Sequence, residues 1–393
     1  MEENTSDFQN ISTINATTLQ SFLNNLSVYR KSDNDFCEDC DWLVTKLANH
    51  YSRNYHGYLS MVVCCFGIIS NSLTVAVLTR KDMACAPINR ILTGIAIADM
   101  IIMIEYITFA YYYYIDLPKK MNFPYWGAVF ILFHTNFTQV LHTISICLTL
   151  ALAVWRYIAI GYPDKNNIYC TESRCTWAIL ISFVLPILLC TPTYFVVAIK
   201  STTIVEEGHK QILHHTALSD VAAHNETFLV FNFWMYAVII KLLPCCLLTI
   251  ISVWLIRTLF LVKKRKQILK MGYATCSSTD DSNQIMKKKI TKPERRANRT
   301  TKMLVAVLIL FLTTEFPQGI FGLLIGIKGK CFFLKCYQNF GEIMDLLALL
   351  NGAINFILYC CMNRMFRTIF GQLFRQKILY KWSSQSDLHT TYV

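Results

Sequence analysis

Seven apolar runs alternate with polar connectors along the chain, at 57–79, 89–114, 126–160, 175–199, 229–261, 300–327 and 339–361. A helix rises 1.5 Å per residue, so about 20 apolar residues cross the hydrocarbon core of a bilayer. The pattern predicts an all-α membrane protein with a seven-transmembrane helix bundle. Pro186, Pro192, Pro244 and Pro317 fall inside the runs, where each removes a backbone donor and kinks or interrupts its helix. After the last run, MNRMFRTIFGQLF (362–374) puts Met365, Phe366, Ile369, Phe370, Leu373 and Phe374 on one helical face, with Arg364, Arg367 and Arg375 elsewhere. This is the pattern of a short amphipathic eighth helix lying on a membrane surface. No repeat and no two-half symmetry is visible.

Composition agrees with the pattern. Of 393 residues, 54% are hydrophobic and 16% charged, against about 25% charged in a soluble domain. A net charge of +12 raises nucleic acid as a partner, but its placement excludes that reading. With their flanks, 80–88, 161–174, 262–299 and the C-terminal segment, which the positive-inside rule makes cytoplasmic, hold roughly two thirds of the basic residues. The opening MEENTSDFQN has no apolar core of a signal peptide, so the first span is expected to act as its own insertion signal. Asn4, Asn10, Asn15, Asn25 and Asn225 each begin N-x-[ST], which fits glycosylation outside the cell. The expected divisions are an extracellular tail at 1–56, a bundle at 57–361 with its long inner loop at 262–299, the surface helix at 362–374 and a cytoplasmic tail at 375–393. The expected location is the plasma membrane, crossed many times, with the N-terminus outside.

Polar residues inside spans are costly and usually face the bundle interior. Asn71, Asp99, Ser145, Asn351 and Asn355 are the set expected to gather as a hydrated polar cluster able to hold a cation. The alternative is a set of separate interhelical hydrogen bonds, each worth about 0.6 kcal/mol. Arg156-Tyr157 closes the third run at its cytoplasmic end, with Trp155 before it.

These residues carry a resemblance. Asn71, Asp99, Arg156-Tyr157, Trp177, Pro244, Pro317, and Asn355 with Tyr359 stand in the order and spacing of a rhodopsin-like (class A) G-protein-coupled receptor. More narrowly, FHTNFTQVLHTISICLTLALAVWRYIAI (133–160), KLLPCCLLTI (241–250) and TTEFPQGIFGLL (313–324) resemble the invertebrate myosuppressin and FMRFamide-like neuropeptide receptors. The resemblance implies a neuropeptide ligand, a heterotrimeric G protein of the inhibitory class as partner, and no enzymatic activity, cofactor or metal. It also implies that Arg156, Tyr157, Tyr359, Pro317 and Glu315 take part in activation. The chain departs from the class in several places. Trp155 replaces the usual acid beside Arg156, Glu315 stands where the sixth helix usually carries Trp, and Asn355-Phe356-Ile357-Leu358-Tyr359 lacks the usual proline. Ile131 replaces the usual cysteine at the top of the third helix, and 200–228 contains no cysteine. With no acid beside Arg156, and Ala297 in place of one near the sixth helix, a weakly latched receptor with agonist-free signalling is expected. Trp155 would offer the arginine only ring packing or a cation–π contact.

Peptides of the resembled group end in Arg-Phe-amide, and their guanidinium suits a carboxylate. The expected arginine partner is Asp345, then Glu105, then Glu342. Tyr106 is one of the aromatics expected around the phenylalanine, and His134, Gln139, His142 and Gln318 are expected near the terminal amide. Glu315 is alternatively paired with Lys241 as a latch between the fifth and sixth helices. Cys37, Cys40, Cys331 and Cys336 are the cysteines expected outside, and four cysteines allow three pairings. The ending TTYV resembles a ligand for PDZ domains, and hydroxyls in 383–391 suit phosphorylation and an arrestin. A transporter would show two related halves, an intramembrane enzyme paired catalytic groups, and a small-amine receptor an aspartate in the outer third helix. The closest rival is a receptor for another ligand.

Overall fold

The apolar runs fold into a helix bundle in the computed structural model, which describes residues 42–117, 124–162, 165, 168–206, 209–276, 306, 309–324, 327, 338–362 and 364–373. Among these residues, six helices are long and apolar enough to cross a membrane: α1 (Thr45–Leu78), α2 (Pro87–Asp116), α3 (Tyr125–Gly161), α4 (Glu172–Leu189), α5 (Thr227–Thr258) and α7 (Phe340–Cys361). A shorter apolar helix, α6 (Ile309–Leu324), lies in the sixth run, and α8 covers 364–373.

Local chemistry sets several boundaries. Pro87 opens α2 after an extended Ala86, where its missing N–H costs nothing. Thr171 caps α4, its Oγ1 accepting from the Arg174 amide at 3.4 Å, with Glu172 in the first turn. In α5 a π-helical stretch, Met235–Leu242, runs into Pro244. Proline lacks the donor and its ring crowds the carbonyl four residues back, and the wider turn absorbs this. Helical structure in front of α1 begins at Trp42, earlier than the boundary at 56 suggested by the apolar run.

The fourth run is shorter than expected. The helix ends at Leu189, a single turn (Thr191–Tyr194) starts around Pro192, and the chain then enters a strand. β1 (Val197–Glu206) and β2 (His209–Leu218) form an antiparallel hairpin, with Val197 opposite Leu218. This hairpin is an addition to the all-α expectation. Its base is clasped without a covalent bond. The Ser219 amide donates to Val196 O at 2.9 Å, and Ser219 Oγ to Phe195 O at 2.5 Å. Ser219 Oγ also accepts from the Ala222 amide at 3.2 Å. Lys200 Nζ donates to Asp220 at 3.0 Å, and this bond holds the Asp220 carboxyl below its ordinary range. The His214 ring meets Tyr125 of α3 edge-on at 5.4 Å.

The main core joins α1, α2, α3 and α7 around Cys64, Met103, Tyr106 and Leu148. Lipid tails are as apolar as these side chains, so close packing rather than escape from water holds the helices together. Small residues permit the approach. A Cβ on Gly322 of α6 would lie 3.0 Å from the Ala237 Cβ of α5. On α8, Phe366, Ile369 and Leu373 are buried, and the Phe366 ring lies 5.9 Å from both Phe356 and Tyr359. Met365, expected on that face, is exposed. The true stripe runs 366, 369, 370 and 373, and Met365 sits one position outside it.

Candidate functional site

Polar residues that the apolar runs carry inward meet in three clusters. The first joins α3, α5 and α6 around Glu315, which is 1% exposed. Its Oε2 accepts from Lys241 Nζ and from His142 Nε2, each at 3.0 Å. Oε1 lies 2.9 Å from the same His142 nitrogen, but no hydrogen bond is directed to it. Lys241 is carried inward by the π-helical stretch before Pro244 and lies 5.9 Å from the Tyr236 ring centroid. A lone charge at this depth would be strongly disfavoured, and the pair supplies the counter-charge. The expected latch between fifth and sixth helices is therefore present, with His142 as a third member.

A second cluster lies toward the hairpin end. His134 Nδ1 donates to both Glu105 oxygens at 2.8 Å, and Thr138 Oγ1 to Oε2 at 3.2 Å. The Phe109 ring stacks on His134 at 3.5 Å. Glu105 is thus satisfied within the protein, and it takes up the Nδ1 of His134, a residue expected near a ligand amide. Tyr106 is 2% exposed, and its hydroxyl bonds His56 Nε2 at 3.0 Å. It pins α1 to α2, correcting its expected place beside a ligand ring; the π face of a tyrosine suits a core contact as well as a pocket. Glu342 accepts from Ser52 Oγ at 2.7 Å and from the Tyr114 hydroxyl at 3.1 Å.

Asp345 differs from these acids. It is exposed and has no hydrogen bond or ion pair among the described residues, yet His134, His142 and Lys241 all lie within electrostatic reach of it. Asp345 is thus an accessible carboxylate on α7 in the field of residues on α3 and α5. Gln139 reaches across to Thr193 Oγ1 at 3.3 Å, and Thr193 in turn donates to Asn232 at 3.1 Å. Gln318 is 6% exposed and makes no hydrogen bond among the described residues.

The third cluster lies midway. Ser145 Oγ donates to Asp99 at 2.8 Å, and Asn355 Nδ2 donates to its other oxygen at 3.3 Å. Asp99, Ser145, Asn351, Asn355 and Tyr359 line a cavity of about 30 Å³. That volume is enough for about two waters. Asn71 stands apart from the cavity lining, its amide donating to Gly352 O at 3.2 Å. Four of the five expected residues are brought together and the fifth braces α1 on α7.

At the opposite end, Arg156 is partly buried, with no ion pair or hydrogen bond among the described residues and Tyr359 as an electrostatic neighbour. Trp155 packs into the core with its indole N–H unpaired. It makes no cation–π contact with Arg156 among the described residues, because its ring is drawn into the core. Tyr157 sits against Trp254 of α5, centroids 6.0 Å apart. Pro317 is partly buried in α6.

Asn225 is exposed, and its Oδ1 accepts from the Phe228 amide at 3.0 Å, capping α5. Such a cap uses the oxygen and leaves the nitrogen, the atom that carries an N-glycan. Asn4, Asn10, Asn15, Asn25, Cys37, Cys40, Cys331 and Cys336 lie outside the described residues, as do the TTYV ending and most of the basic loop. Sequence reading missed Ser52, Tyr114, Thr138, Thr193, Asn232 and His56. Each is a polar residue at the hairpin end of a helix, and only helix-to-helix placement gives it a partner.

The family model for "Serpentine type 7TM GPCR chemoreceptor Srw" matches residues 58–377. The chain is 28% identical to the G-protein coupled receptor dmsr-1 of Caenorhabditis elegans over 81% of its length and 68% of that protein's. It is also 28% identical to the sex peptide receptor of Drosophila melanogaster, covering 86% of this chain and 76% of the other. The FMRFamide receptor of Drosophila melanogaster is 24% identical over 84% of this chain and 55% of its own.

Proposed function

Because the chain belongs to the serpentine seven-transmembrane G-protein-coupled receptor family Srw, we propose that it is a receptor for amidated FMRFamide-like (myosuppressin-type) neuropeptides. The family is one of receptors rather than enzymes, and the names of two relatives point to peptide receptors among them. Asp345 carries the reading. It is left without a protein donor among the described residues, whereas Glu105, Glu315 and Glu342 each hold one. A peptide guanidinium would pair with it in two parallel charge-assisted bonds. The protein sits in the plasma membrane with the hairpin end outside and Arg156 facing the G protein, of the inhibitory class. Arrestin and a PDZ protein at the C-terminus are further partners.

A G-protein dissociation assay in cells tests this. Amidated Arg-Phe peptides are expected to activate the receptor, their free-acid forms to fail, and Asp345→Asn to reduce potency at least about tenfold, the loss of a charge-assisted bond. Activation untouched by Asp345→Asn moves the cation site to Glu342. Silence across the peptide panel, with surface expression confirmed, sinks the peptide reading in favour of another ligand class.

A further inference from the structure

Two polar groups one turn apart on α6 lack a directed hydrogen bond among the described residues. The Glu315 carboxylate takes the directed bonds of Lys241 and His142 on Oε2, while Oε1 is buried, 2.9 Å from the same His142 nitrogen and without a directed hydrogen bond of its own. Gln318, three residues on, is 6% exposed, and its side-chain amide makes no hydrogen bond among the described residues. Residues three apart share a face of a helix, and here that face carries Glu315 to α3 and α5. Buried polar groups are nearly always satisfied. A buried acceptor without a directed donor, one turn from an amide without a partner among the described residues, is a place where a group from outside the chain can bind.

The chemistry of these two groups identifies their complement. Glu315 Oε1 only accepts, whereas Gln318 donates and accepts. The complement is an N–H₂ donor beside a carbonyl, a primary carboxamide. We propose that the terminal carboxamide of the peptide is read here, its N–H₂ donating to Glu315 Oε1 and its carbonyl accepting from Gln318 Nε2. This rests on the amidated-peptide reading above and adds to it the basis of the amide requirement. A peptide ending in a free acid would set its carboxylate against Glu315, whose charge Lys241 already matches, and no donor would lie between them. A site built on polar pairing rejects a ligand that leaves its groups unpaired far more strongly than an apolar pocket does. The same His142 and Lys241 that hold Glu315 lie within electrostatic reach of Asp345. The cation of the neighbouring residue and the carboxamide thus bind near one another.

The test compares one amidated peptide with its free-acid form on the full receptor, with surface number measured for every variant. Glu315→Gln is expected to shrink the amide-to-acid potency ratio at least tenfold, chiefly by raising the potency of the acid, a gain that poor folding does not produce. The ratio is expected to stay collapsed in the double variant Lys241→Gln/Glu315→Gln, where no freed lysine attracts the acid. Gln318→Leu is expected to weaken the amidated peptide about tenfold and leave the acid unchanged. Ratios within threefold of wild type in Glu315→Gln and Gln318→Leu overturn the proposal, as does a collapse that the double variant reverses. A wild-type receptor silent to both peptides sinks the peptide reading and this inference with it, whereas an active receptor with an unchanged ratio sinks only this inference.

Discussion

Glu342 and Asp345 lie three residues apart on α7, but two hydroxyls donate to one and, among the described residues, nothing donates to the other. That difference separates their roles. Glu342→Gln keeps a side chain of the same length and an oxygen that still accepts, so peptide potency should change less than threefold, whereas Asp345→Asn removes the charge that a guanidinium needs. Dose–response curves on the two variants decide between them, and equal losses would make Glu342 a second cation site. Glu105 presents a third case. Both its oxygens are held by His134, so Glu105→Gln leaves a nearly buried imidazole badly matched. Its cost should appear as stability, about 1–3 kcal/mol, read as a lower thermal midpoint of detergent-purified receptor with peptide potency preserved in the molecules that fold.

At the level of elements, α6 is held against α5 by an absence of side chain. A Cβ at Gly322 would lie 3.0 Å from the Ala237 Cβ and 3.3 Å from its Cα, and neither atom can swing away. Gly322→Val is expected to cost about 1–3 kcal/mol by overpacking, while Gly341→Ala, with open space around it, should leave the thermal midpoint unchanged or raise it. The hairpin is the second element with a specific dependence. Ser219 closes its base and caps the following turn, so Ser219→Ala should raise amide exchange across 197–206 and 209–218. The Lys200–Asp220 bond lowers the Asp220 pKa. Its contribution is present above the ordinary carboxylate range and is lost as pH falls through the lowered value, so protection corrected for intrinsic exchange should fall only in acid.

For the whole molecule, the relation between the two ends matters most. Arg156 has no ion pair among the described residues, so the bundle lacks the acid beside it that restrains the resembled class. At the other end, Lys241, Glu315 and His142 tie α5, α6 and α3 together. A polar tie on α6 is therefore present in the buried triad, whereas Arg156 makes none among the described residues. Trp155→Glu, which places an acid beside Arg156, is expected to lower agonist-free signalling per receptor at the surface in the G-protein dissociation assay. An unchanged baseline would show that Arg156 needs no such latch.

Sequence by itself determined the helices and their number, because crossing a bilayer demands a long apolar run wherever the chain does it, and a run is a local property. It also determined the midway cluster, since polar residues in such runs have few places to go, and Asp99, Ser145 and Asn355 do meet. The Lys241–Glu315 pair was legible for the same reason. The hairpin was not, because 197–218 mixes polar and apolar residues without a strict alternation and its pairing is decided by the clasp at Ser219. Nor did sequence separate the acids at the mouth of the bundle. Among the described residues, Glu105, Glu342 and Asp345 differ in what neighbouring helices bring to them: His134, Ser52 with Tyr114, and no donor, respectively. Which acid keeps no donor among the described residues is a property of helix rotation and packing, and only the tertiary structure decided it.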